Sequence, residues 1–134
     1  MYLIDTNIWL ERLLDQDRGN EVGLLLASIP ATNLLVTDFT FHSIGVILSR
    51  LGQKDAFLLF VQDVFIDHGV GLISLEPTQM HRVMDVMMQF ALDFDDAYQY
   101  VAAEMVNAPI VSFDRDFDRT SQGKMTPAEV LSSL

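Results

Sequence analysis

Four short apolar runs, spaced by stretches of helical period, limit this chain to a small set of folds. "YLI" at 2–4, "NLLVT" at 33–37, "VGLISL" at 70–75 and "PIVSF" at 109–113 are rich in aliphatic residues and too short for helices. They are predicted as strands. The stretches between them are long enough for the helical crossovers that parallel pairing requires. Strands alternating with helices predict an α/β fold: a three-layer α/β/α arrangement with a central, mostly parallel sheet of four or five strands. The length of 134 residues predicts a single domain, residues 1–134, around one core.

Local signals place the helices. One starts near Asn7, a second covers about 20–28, and a third runs over 38–51. In the third, Ile44, Ile47, Leu48 and Leu51 recur at helical spacing, and Asp38 is positioned to cap the start. Residues 53–66 form the next helix, stopped at "DHG", where Gly69 suits a left-handed cap. The stretch "AFLLFVQDVFI" is apolar on more than one face; deep burial and a dimer or partner interface both account for that surplus. Pro77 opens a helix on which Met80, Val83, Met84, Met87, Met88 and Ala91 share a face. That face is either core filled by pliable thioethers or a soft binding surface. Another helix runs from about Asp95 to Val106, with Ala97, Ala102 and Ala103 allowing close approach to the sheet. "TPAEVL" combines Thr126 as cap, Pro127 in the first turn and Glu129 three residues after the cap, which predicts a short terminal helix.

In open parallel sheets, sites form beyond the carboxyl ends of the strands. Asp5 follows the first apolar run directly, Asp114 follows the last, Asp116 lies two residues on, and Asp96 stands at a helix start. Each has an ordinary structural role available: a cap for Asp5, favourable placement on a helix dipole for Asp96, a turn for "DRD". If the first and last strands are neighbours, the four carboxylates converge on one rim. Such a cluster repels itself and raises some of its pKa values, and a hard divalent cation relieves the repulsion. Cysteine is absent, so any metal is held by oxygen or imidazole.

The net charge of −11 argues against nonspecific nucleic-acid binding, which needs a basic footprint. It does not exclude an enzyme acting on nucleic acid, because acidic ligands count in the same total. Arg115 and Arg119 are the only basic pair near the last acids; phosphate contact and solvated surface charge are equally compatible with them. No apolar stretch approaches the roughly 18–20 residues that cross a bilayer. The amino end shows no basic-then-apolar leader, so the expectation is a cytoplasmic protein without membrane association.

"YLIDTNIWL", "DDAYQYVAAE" and "IVSFDRDF", in that order and spacing, resemble the three signatures of PIN-domain nucleases, and "TPAEVL" resembles the usual family ending. The resemblance covers nearly the whole chain. It implies a PIN-like fold and a metal-dependent ribonuclease like the VapC-type toxins of toxin–antitoxin pairs. RNA would be the substrate, Mg²⁺ or Mn²⁺ the cofactor, an antitoxin protein a partner, and a homodimer the assembly. By match to the motifs, Asp5, Asp96, Asp114 and Asp116 are the catalytic and metal-binding acids, supported by Asn7 and Ser112. The chain departs from the family at one point. Members generally carry a glutamate early in the helix after the second strand, and here His42 or Ser43 occupies its place. Such a site binds metal more weakly, replaces the acid with His42 or water, or is inactive. The last case would make the chain a PIN-fold binding module. A phosphoacceptor receiver domain also gathers acids at strand ends, but it needs an acidic pair after the first strand and an aspartate ending a central one. "LIDTN" and "GLISLEP" supply neither.

Overall fold

The computed structural model describes residues 1–134. The chain forms β1 (Tyr2–Ile4), α1 (Thr6–Leu13), α2 (Gly19–Ser28), β2 (Leu34–Thr37), α3 (Asp38–Arg50) and α4 (Lys54–Phe60). It continues through β3 (Gly71–Ile73), α5 (Met80–Phe90), α6 (Phe94–Met105), β4 (Ile110–Val111) and α7 (Pro127–Ser133). The sheet order is β3-β2-β1-β4, with every neighbouring pair parallel. A single parallel bridge from Val111 to Met125 adds a vestigial fifth position at the β4 edge. The fold is therefore the expected three-layer α/β/α arrangement.

Alternation along the strands divides the core. Ile4, Leu34, Val36 and Val111 pack on one face with Ile8, Trp9, Val22, Leu25, Ile44 and Leu48 from α1, α2 and α3. Leu3, Leu35 and Ile110 pack on the other with Val83, Val86, Tyr100 and the α6 alanines. Successive strand side chains point to opposite faces, so both faces of this sheet are apolar. Ala97, Ala102 and Ala103 are all buried, as their size and spacing predicted.

Three local expectations change. Helix α3 is capped by Thr37, whose Oγ1 accepts the Thr40 amide at 3.0 Å, and not by Asp38, which stands inside the first turn. The buried hydroxyl at the end of β2 takes the cap because it already lies beside the amides. On α5 the buried stripe holds Val83 and Val86, with Met80, Met87 and Phe90 partly buried, while Met84 and Met88 are exposed. At 3.6 residues per turn those two lie about 100° and 140° round the helix from Val83, outside the stripe. The 53–66 helix is α4 continued as π-helical turns over Val61–Asp67, ending at Gly69 with φ +76°. Its Leu58, Leu59 and Ile66 are more than half exposed, so deep burial does not account for its apolar surplus. No helix is long and apolar enough to cross a membrane.

Candidate active site

β1 lies inside the sheet between β2 and β4, and its pairing with β4 brings the first and last strand ends together. Asp5 N–H donates to the Val111 carbonyl at 3.0 Å, continuing that ladder by one residue. Asp5 is 6% exposed, and both of its carboxylate oxygens accept hydrogen bonds. Oδ1 accepts from the Thr6 amide (2.8 Å) and from Gln99 Nε2 (3.0 Å), and Oδ2 accepts from the Ser112 hydroxyl (2.8 Å). Asn7 and Ser112 bond to each other beside it. Asn7 Nδ2 donates to Ser112 Oγ at 3.1 Å, its Oδ1 accepts the Phe113 amide at 3.2 Å, and Ser112 Oγ also accepts the Asp114 amide at 2.9 Å. Burial raises the Asp5 pKa, opposed by the bonds from Gln99, Ser112 and Thr6, with the Asp114 charge adding to the rise.

Asp96, Asp114 and Asp116 stand in front of Asp5. One carboxylate oxygen from each lies within 4.8 Å of the others. Asp93, the cap of α6, accepts the Asp96 amide at 2.9 Å and fixes the first turn of that helix. Asp114 caps the short 3₁₀ turn Arg115–Arg119 and accepts the Asp116 amide at 2.9 Å. "DRD" is thus both a turn and part of the cluster. Partial burial first, then the negative charges of Asp114, Asp93 and Asp5, push the Asp96 pKa up to about 8. An all-oxygen donor set under this much mutual repulsion fits a hard cation such as Mg²⁺ or Mn²⁺ and suits no soft metal.

The four sequence-predicted acids line one open cleft of about 330 Å³, together with Asn7, Ser43, Asp93 and Asp95. His42 is not among its walls. One residue earlier on α3, it points into a separate cleft with Phe39, Phe94 and Tyr98. Ser43 therefore stands where a further acid would face the cluster, and His42 does not replace it. Arg119 is committed elsewhere: Nε and Nη2 donate to the Phe90 and Ala91 carbonyls, and Nη1 pairs with Asp116 at 3.1 Å. Arg115 is exposed.

Gln99 is the functional neighbour that sequence reading missed. It is 1% exposed; Nε2 donates to both Asp5 and Thr40 Oγ1, and Oε1 accepts from the Thr37 hydroxyl. Thr40 Oγ1 in turn lies 2.9 Å from Thr6 Oγ1. The available signal was its place three residues after Asp96, on the same helix face, within the otherwise apolar run "AYQYVAA".

Fold and cleft together define an α/β/α protein whose carboxylates gather at the carboxyl ends of β1 and β4. The chain belongs to the PIN-domain family, whose model matches residues 2–123. Solved structures share the fold at low identity. A toxin–antitoxin complex from Klebsiella pneumoniae superposes with TM-score 0.76 at 19% identity, covering 95% of this chain and 98% of that one. VapC20 from Mycobacterium tuberculosis, described as a toxin cleaving the sarcin–ricin loop, gives 0.79 at 16% identity over 95% and 100%. FitAcB from Neisseria gonorrhoeae gives 0.77 at 17% identity over 96% and 99%. No curated protein matches the chain in sequence.

Proposed function

We propose that this protein is a metal-dependent endoribonuclease of VapC type, hydrolysing RNA phosphodiester bonds as a toxin that an antitoxin protein neutralises. The observation that carries the reading is the convergence of Asp96, Asp114 and Asp116 within 4.8 Å in front of a buried Asp5. Asp96, Asp114 and Asp116 would hold Mg²⁺ or Mn²⁺. A bound cation would supply Lewis acidity toward a phosphoryl oxygen and lower the pKa of a coordinated water below that of bulk water. Asp5 contributes fixed negative charge behind the cluster, oriented by Ser112, Asn7 and Gln99. It also borders the cleft, and a carboxylate has about four acceptor sites against its three bonds of 3.0 Å or shorter, so it would share in holding the cation.

The antitoxin has a surface to bind. Trp9, Arg12, Leu13 and Leu26 meet Leu59, Phe60 and Val64 in an open apolar groove, and the Trp9 indole N–H is buried there without an acceptor. A peptide lying in the groove would cover Leu59. The exposed Met84 and Met88 on α5 suit a homodimer contact. The antitoxin assignment draws support from the toxin–antitoxin complex whose fold this chain shares. Cleavage of RNA with Mn²⁺ that stops in excess EDTA is the expected result; cleavage that persists with the chelator sinks the metal mechanism.

Ser43 favours a second reading, a PIN-fold module with weakened or lost turnover that acts by association with protein or RNA. Calorimetric titration with Mn²⁺ separates the two. Heat of binding at micromolar to low millimolar metal supports the nuclease, and its absence supports the module.

A further inference from the structure

The acidic cleft has a neighbour. Asp38, Phe39, His42, Phe94 and Tyr98 line a second open cleft of about 430 Å³, and Phe39 belongs to the walls of both. The division follows helical phase. On α3, Phe39 and Ser43 face the acids while Asp38 and His42, also four residues apart, face the second cleft. On α6, Asp93, Asp95 and Asp96 face the acids, and Phe94 and Tyr98 face away from them into the second cleft.

The rings there form a held aromatic surface. Tyr98 lies 6.4 Å from Phe39 and 6.1 Å from Phe94, centroid to centroid. Its hydroxyl donates to Asp38 Oδ1 at 2.8 Å and accepts the Leu75 amide at 2.9 Å, which fixes the ring. Phe94 is 42% exposed at the first position of its helix, with one side of its ring against Tyr98 and the rest open. Besides Asp38, the polar wall of the cleft is His42.

A nuclease cleft walled by acids and by no lysine or arginine has a specific deficit. It repels a phosphodiester until a cation is bound, and the single arginine touching it, Arg119, is tied to Asp116 and to two carbonyls. Beside that cation, an interaction that does not depend on charge would add affinity for the strand. Stacking of bases on aromatic rings is such an interaction, is tolerant of sequence, and needs bases that are not already stacked in a duplex.

We propose that the Phe39–His42–Phe94–Tyr98 cleft is a stacking subsite for an unpaired nucleobase next to the phosphate that enters the acidic cleft. Phe94 supplies the open ring face, Tyr98 and Phe39 brace it, and His42 offers a hydrogen-bonding edge to the base. The proposal rests on the ribonuclease reading and specifies its substrate as single-stranded at the cut.

The test uses steady-state cleavage of a short single-stranded RNA with Mn²⁺, and fluorescence of a tryptophan placed in the cleft. Phe94→Ala is expected to raise KM about tenfold while kcat stays within about twofold, because stacking binds the strand without touching the reacting atoms. Phe94→Trp is expected to keep KM near wild type. Its emission, corrected for Trp9, should be quenched by single-stranded RNA and not by an abasic strand of the same length or by duplex. An unchanged KM in Phe94→Ala overturns the subsite, as does quenching by the abasic strand equal to that by RNA. Failure of the wild type to cleave RNA overturns the nuclease reading; base-dependent quenching in Phe94→Trp then leaves the subsite standing alone.

Discussion

Gln99 Nε2 donates to Asp5 Oδ1 across 3.0 Å, joining helix α6 to the end of strand β1 beneath the acid cluster. The same amide spans Thr37 and Thr40, so one side chain satisfies the polar groups at the ends of β1 and β2 and the start of α3. Gln99→Leu leaves the two threonine hydroxyls short of a buried partner and removes one donor from Asp5. The expected loss of stability is about 1–3 kcal/mol per unsatisfied group, read from urea denaturation. An unchanged midpoint contradicts the network.

Asp96 links metal affinity to pH. Its pKa is pushed from 3.8 up to about 8 by burial and by Asp114, Asp93 and Asp5. In the metal-free protein the folded state therefore holds a proton that the unfolded state releases. Between pH 3.8 and about 8 this makes stability fall as pH rises, since the unfolded chain binds fewer protons there. Mn²⁺ competes with that proton, so its affinity should climb through the same window. Thermal melts at pH 5 and pH 8 check both, at roughly constant ionic strength. A metal-induced rise in Tm that is larger at pH 5 contradicts the assignment.

Asp96→Asn removes a charge from the cluster but keeps the shape of the side chain. We expect RNA cleavage to drop by about a hundredfold or more, consistent with the several kcal/mol that a metal site contributes to such a transition state. The fold should survive, and the metal-free protein should be more stable near pH 8 than wild type, because a repelled charge is gone. Cleavage at the wild-type rate removes Asp96 from the mechanism.

Ser43→Glu tests the absent acid. The side chain enters a cleft already lined by Asp5, Asp96 and Asp114, so the metal-free protein should lose stability. Divalent affinity should rise about tenfold, because ligand charge and number set how tightly such sites hold a hard cation. The companion change His42→Glu points to the aromatic cleft and should leave Mn²⁺ affinity within about twofold. Equal effects of the two substitutions contradict the phase of α3.

Leu59 is 71% exposed beside the Trp9 groove. Leu59→Asp is expected to change stability by no more than about 0.5 kcal/mol, the usual range for surface substitutions. It should nevertheless prevent capture of the antitoxin proposed for the groove, measured by co-purification with the product of any adjacent small gene. Intact capture places the antitoxin elsewhere.

The sequence exposed those parts of the architecture that depend on local order. Asp5 and Asp114 were legible because each follows an apolar run directly, and parallel sheets put sites at such ends. Choosing between His42 and Ser43 required the phase of α3, and that phase depends on a cap that moved from Asp38 to Thr37. Gln99 was hidden because its i, i+3 spacing from Asp96 is common to many helix residues and does not by itself single out one polar side chain amid alanines and aromatics. The aromatic cleft was invisible for a different reason: residues 38–42 and 94–98 meet only through packing of α3 against α6. On α5, the methionines misled because pliable residues serve core and surface alike, and only burial separates Met87 from Met88.

The Ser112 hydroxyl reaches Asp5 from 107 positions further along the chain. Closing so long a loop has an entropic cost that no local contact near Asp5 offsets. During synthesis, Asp5 emerges well before β4 and must wait for that strand before it has the Ser112 donor. A nascent chain that has not yet reached Ser112 holds Asp5 without that donor. Assembly of the acid site is therefore a late event in the life of each molecule, timed by the order in which strands are made.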